Sequence, residues 1–78
     1  MMIISDKTKP IGERVRELRR AQGVPQMLAA RRAQVSWQSW WLLERHNYIP
    51  RSAAARERIA AVLGVDAQEL FGDDGGES

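Results

Sequence analysis

Three tryptophans, Trp37, Trp40 and Trp41, stand within five residues of one another, and Gln38 adds a side-chain amide among them. An indole is a large apolar anchor with one N–H donor, and a primary amide can donate and accept at once. These are groups for recognition. Groups for catalysis are scarce. The chain has no cysteine, which removes thiolate nucleophiles, disulfides and cysteine-bound zinc. His46 is the single histidine and has no second ligand at usable spacing, so no metal is expected. Ser36 and Ser39 lack a companion base that would make either a nucleophile. We expect no enzyme, no cofactor and no small-molecule substrate.

Ten of the twelve cationic side chains are arginines, and the formal net charge is +2. That figure hides an asymmetry, because Asp73, Asp74 and Glu77 lie in the closing run GDDGGES; without them the body carries 12 − 7 = +5. A basic body suits an anionic partner such as nucleic acid, although a solvated surface accounts for the same charge. Arg31, Arg32, Arg45 and Arg51 suit contacts to phosphates, and equally a polar rim around an apolar contact patch.

The elements that must position these groups are helices. At 78 residues the chain is one domain, able to bury only about 60% of the surface its unfolded form exposes. No apolar run approaches the roughly 20 residues of a membrane span, and the N-terminus lacks a signal-peptide core, so a cytoplasmic domain is expected. Residues 1–9 read as a flexible arm, 10–72 as the folded domain and 73–78 as a disordered acidic tail. From Pro10 the period is helical, with Ile11, Val15 and Leu18 on one face and Gly23 as the stop. A second helix should cover about Gln26 to Ala33. A third should run from Trp37 to about Arg45, with Ser36 as its cap and residues 46–50 as a loop. Ser52 should cap a fourth helix through Leu63, ended by Gly64, with Ile59, Val62 and Leu63 facing inward. Asp66 and Glu69 form a capping box for a last short helix carrying Leu70 and Phe71. No strand pattern appears.

Segments 26–33 and 36–45 have helix-turn-helix spacing. With IGERVRELRRAQG at 11–23, Gln26, Ala30, VS at 35–36, Glu44-Arg45, Pro50 and RIAAVLGVDAQELF at 58–71, the chain resembles the Cro/C1 (XRE-like) helix-turn-helix repressors over roughly residues 10–72. The resemblance implies an all-α, compact five-helix domain that binds duplex DNA as a homodimer, its third helix in the major groove. It places Gln26 near the DNA backbone and gives Glu44 a structural role. It puts Trp37, Gln38 and Leu42 at base-reading positions, of which only Gln38 carries a bidentate amide. Family members usually have glycine where Gln34 and His46 stand, so each of these is expected at positive φ, at a cost of about 1 kcal/mol.

The middle of the chain, PQMLAARRAQVSWQSWWLL, departs from the family pattern. Ala29 replaces a usual leucine and Trp40 a usual β-branched residue, so Trp40 is expected to pack over Ala29 and Ala33 in a volume-conserving exchange. Trp37 and Trp41 lie within about 40° of each other on the helix, while Trp40 is turned about 60° from Trp37. With Met27, Leu28 and Leu42 they would crowd the DNA-facing surface as an exposed apolar patch, which is unusual without a partner. Two functions fit. The first is a protein-binding module, or self-association, through Met27, Leu28, Trp37, Gln38, Trp41 and Leu42, on a repressor scaffold rebuilt by divergence or engineering. The second is a DNA-binding regulator using Gln26, Arg31, Arg32, Trp37, Gln38, Leu42 and Arg45.

Overall fold

Val15 and Leu18 form the apolar stripe of an otherwise charged segment, and burying that stripe sets helix α1, Ile11–Ala21. A computed structural model describes residues 8–72. It continues with α2 (Gln26–Arg32), α3 (Trp37–His46), α4 (Ala53–Leu63) and α5 (Ala67–Phe71), and has no strand among the described residues. The expected tail at 73–78, and the expected arm apart from Thr8 and Lys9, lie outside the described residues. No described helix is long and apolar enough to cross a membrane.

The helix ends follow local chemistry. The Ser36 hydroxyl accepts from the Ser39 amide at 3.0 Å, and Ser52 does the same for Ala55 at 3.2 Å. The Asp66 carboxylate accepts from the amides of Gln68 and Glu69. Only this half of the expected capping box is formed; no described contact returns from Glu69 to Asp66. Gln34 stands at φ 59°, as expected for the turn between α2 and α3. His46 does not take the corresponding position. It remains in α3, and the left-handed residue is Asn47 at φ 58°, a type that tolerates this region better. The loop therefore begins one residue later than the spacing suggests.

Other ends are closed from a distance. α1 follows Pro10 and has no side-chain cap of its own; instead the Gly12 amide donates to Asn47 Oδ1 at 2.9 Å. Asn47 thus ends α3 and caps α1 together. Gln22 Nε2 donates to the Leu63 carbonyl at the end of α4, and Arg58 Nε to the Ala33 carbonyl at the end of α2. Arg14 Nη2 donates to the Glu69 carbonyl in α5. These bonds satisfy terminal carbonyls that a short helix would otherwise leave to water.

One core draws on all five helices, with Val15, Ala29, Trp40, Ile59, Leu63 and Leu70 among its members. Trp40, Ala29 and Ala33 have no exposed surface and belong to this one core, so the large indole of α3 and the small residues at α2 are buried together. Gly12 lets α1 cross α3 closely: a Cβ there would meet the Glu44 carbonyl oxygen and lie 2.7 Å from that of Leu43. Both neighbours are backbone and neither can step aside. Gly12→Ala should therefore cost about 1–3 kcal/mol or more by overpacking. Trp40→Ala should cost about 3–5 kcal/mol, enough to unfold a domain of this size. Urea titrations followed by circular dichroism would measure both; a Gly12→Ala protein as stable as the parent would contradict the close crossing.

Candidate nucleic-acid interface

Glu44 lies one helical turn after Trp40 on the inner side of α3 and is only 4% exposed. Its Oε2 accepts from Arg19 Nε and from Trp40 Nε1, each at 2.6 Å. Its Oε1 accepts from Arg19 Nη2 at 3.1 Å and from Gln26 Nε2 at 3.0 Å. Arg16 Nε adds a longer ion-pair contact at 3.9 Å. Arg19 also donates through Nη1 to the Val24 carbonyl just before α2. One carboxylate thereby ties α1, the start of α2 and the inner side of α3. Burial pushes the Glu44 carboxyl up, but the hydrogen bonds from Arg19, Gln26 and Trp40 and the Arg19 charge outweigh it, so the group lies below its ordinary value.

The network reaches the surface through Gln26. Its Oε1 accepts from Trp37 Nε1 at 3.3 Å while its Nε2 donates to Glu44, so both ends of the amide are engaged. Trp37 opens α3 directly after its cap and is 50% exposed; Gln38 beside it is exposed as well. Trp37, Met27, Leu28 and Val35 line a hollow of about 420 Å³ bordered by Arg31. Met27, at 68%, is the most exposed of these apolar side chains.

Trp41 does not join that hollow. It is partly buried, with the Arg45 guanidinium 5.6 Å from its ring centroid and the His46 ring edge-on at 5.3 Å. It lines a second depression of about 320 Å³ whose other walls include Arg16, Arg20, Gln26 and Arg45. Leu42 is partly buried too. The single exposed patch expected from Met27, Leu28, Trp37, Trp41 and Leu42 is therefore divided into an apolar part and a cationic part. The physical reason is that Arg45 and His46, at the end of the same helix, fold over Trp41 and cover one of its sides.

Arg16 and Arg20 were not among the expected site residues. They stand four apart on α1, which places them on one face, and that spacing was the available signal. Other arginines turn out to be structural: Arg14, Arg19, Arg56 and Arg58 all hold backbone carbonyls, and Arg19 holds Glu44 as well. Arg31, Arg32, Arg45 and Arg51 are exposed, as expected. From Leu18 to Arg56 there are seven arginines and one carboxylate, a formal 7 − 1 = +6, and that carboxylate is the buried Glu44.

Two helices joined by a four-residue turn, with Gln34 left-handed within it, form the unit α2–turn–α3. A family model described as a helix-turn-helix domain matches residues 10–70, a span that contains this unit and reaches from the start of α1 into α5. The chain belongs to the helix-turn-helix domain family. No curated protein and no solved structure matches it. Within this helix-turn-helix domain α3 has the position of the second helix, and the Glu44 cluster is what fixes its orientation against α1 and α2.

The carboxylate makes a test by pH. Because the folded-state pKa of Glu44 lies below its ordinary value, the unfolded chain takes up this proton first as pH falls. The stabilisation is complete above the ordinary carboxylate range and is lost progressively as pH drops toward the folded-state value. Glu44→Gln should remove that part of the acid-side slope. At neutral pH it should cost roughly 3–5 kcal/mol, because Arg19 is left without its counter-charge. Urea midpoints of both proteins across an acid-to-neutral pH series would decide it; parallel slopes would contradict the role given to Glu44.

Proposed function

We propose that this helix-turn-helix domain binds duplex DNA, with the first turn of α3 at base edges in the major groove. The observation that carries the reading is the charge of the surface around α2 and α3. No exposed carboxylate occurs between Leu18 and Arg56, while Arg20, Arg31, Arg32, Arg45 and Arg51 all stand exposed. A polyanion is the partner such a surface attracts. Arg45, held over Trp41, and Arg16 and Arg20 across the cationic depression suit phosphates on one strand. Gln38 is exposed, and no described residue engages its amide, which suits adenine N6 and N7. Leu42, one turn further along, contributes hydrocarbon only. Gln26 acts through Trp37 and Glu44, since its amide is already engaged at both ends. Binding as a homodimer would set two α3 helices about 34 Å apart on a two-fold site. The role that goes with this chemistry is an intracellular regulator of transcription.

The exposed Met27, Leu28 and Trp37 support a second reading, in which a protein partner or a second copy covers the hollow of about 420 Å³. It takes second place because Trp41 and Leu42, which would enlarge that patch, are partly buried, and because Arg31 borders what remains. A recognition face altered by divergence or by engineering is compatible with either partner.

Fluorescence anisotropy on labelled duplexes over a salt series separates the two. For DNA binding, the logarithm of affinity should fall linearly with the logarithm of salt, by about 0.9 per phosphate contact. Arg45→Ala should weaken all duplexes alike and lower that slope by about one. Gln38→Ala should cost roughly 1–3 kcal/mol and relax preference at one base pair. Absence of duplex binding at low salt, together with concentration-dependent self-association abolished by Met27→Ser, would favour the protein reading instead.

A further inference from the structure

Trp37 is the first residue of α3, directly after the Ser36 cap. In a helix-turn-helix the N-terminal residues of the second helix are the ones that contact base edges. The only polar atom of the indole side chain is Nε1, and its hydrogen is already donated to Gln26 Oε1 at 3.3 Å. Gln26 cannot easily turn away, because its other end is bound to the buried Glu44 at 3.0 Å. What Trp37 offers outward is therefore hydrocarbon, and it continues into the apolar wall of Met27, Leu28 and Val35.

Among the four standard bases only thymine presents an alkyl group, its C5-methyl, in the major groove; cytosine has a bare C5–H at the equivalent place. Most of the remaining groups are donors and acceptors, and pressing one of them on such a surface would remove its water without giving it a partner. We infer that Trp37 is a specificity-determining residue that selects thymine, by packing its indole and the adjoining apolar wall against the C5-methyl group. The same contact accepts 5-methylcytosine, which carries a methyl at the equivalent place. The occupant of this hollow is thus a base edge of duplex DNA, favoured over an apolar peptide by Arg31 at its border and by the absence of any exposed carboxylate from Leu18 to Arg56. The inference rests on the duplex-binding reading given above.

The test starts from duplexes selected by the protein out of a randomised pool. Each thymine of a selected duplex is replaced in turn by deoxyuridine, which removes the methyl and nothing else. At one thymine the affinity should fall about four-fold, the value of a single buried methyl-sized group. At that position 5-methylcytosine should bind more tightly than cytosine. Trp37→Phe should keep the preference, whereas Trp37→Ala and Trp37→Gln should bind thymine and deoxyuridine duplexes equally. Melting curves of the three variants confirm that they fold, and the deoxyuridine comparison on the unaltered protein requires no variant. Indifference to deoxyuridine at every thymine, or a preference that survives in Trp37→Gln, would overturn the inference while leaving duplex binding intact. If no selective duplex emerges from the pool, duplex reading fails, and the inference fails with it.

Discussion

A carboxylate with almost no access to water has to be satisfied by the protein around it, and the arrangement of α1, α2 and α3 follows from how Glu44 is satisfied. An isolated buried charge costs several kcal/mol, so the helices must bring donors to it or expose it. Arg19 comes from α1, Gln26 from the start of α2 and Trp40 from α3 itself, four donated bonds on two oxygens. A bidentate arginine fixes direction as well as distance. A tilt of α3 would break several of these bonds together. The burial that makes the carboxylate expensive is also what makes it specific about geometry.

The same cluster explains how a domain this small tolerates a tryptophan in its centre. A buried indole needs space and a partner for its N–H. Glu44 supplies the acceptor, and the core that buries the indole includes the small residues Ala29 and Ala33. Gly12 completes the arrangement by letting α1 lie against the backbone at Leu43 and Glu44. Core volume and polar satisfaction are thereby solved by one group of residues, not by separate ones.

This economy leaves its mark on the surface. Arg14 and Arg58 are tied to carbonyls near helix ends, whereas Arg20, Arg31, Arg32, Arg45 and Arg51 stand exposed in a stretch whose one carboxylate is the buried Glu44. Trp37, held by Gln26, meets solvent as an apolar surface, while Trp41 lies beneath Arg45 and beside His46. An apolar hollow lined by Trp37 and a cationic depression lined by Trp41 therefore lie along one helix. That pairing underlies the proposal of duplex DNA as partner, with its charged strands and partly hydrocarbon base edges.

The sequence by itself determined the helices and their limits, because those depend on contacts between near neighbours. Ser36, Ser52 and Asp66 bond to amides two or three residues on, and Gly23 and Gly64 take left-handed turns. Burial of Trp40 together with Ala29 and Ala33 was also legible, since the resemblance showed loss of volume on one helix and gain on the next, which must match in a close-packed core. Gln34 at positive φ followed from the family resemblance, in which glycine usually holds that place. What only the tertiary structure decided are contacts between residues far apart in the chain. Asn47, not His46, took the left-handed position, and its side chain caps α1. Which arginines are structural, and which face outward, depended on which carbonyls and carboxylates lay within reach after packing. The division of the tryptophan face had the same origin. Helical angle places Trp37 and Trp41 on one side, but it cannot say that Gln26 holds the first and that Arg45 and His46 cover the second.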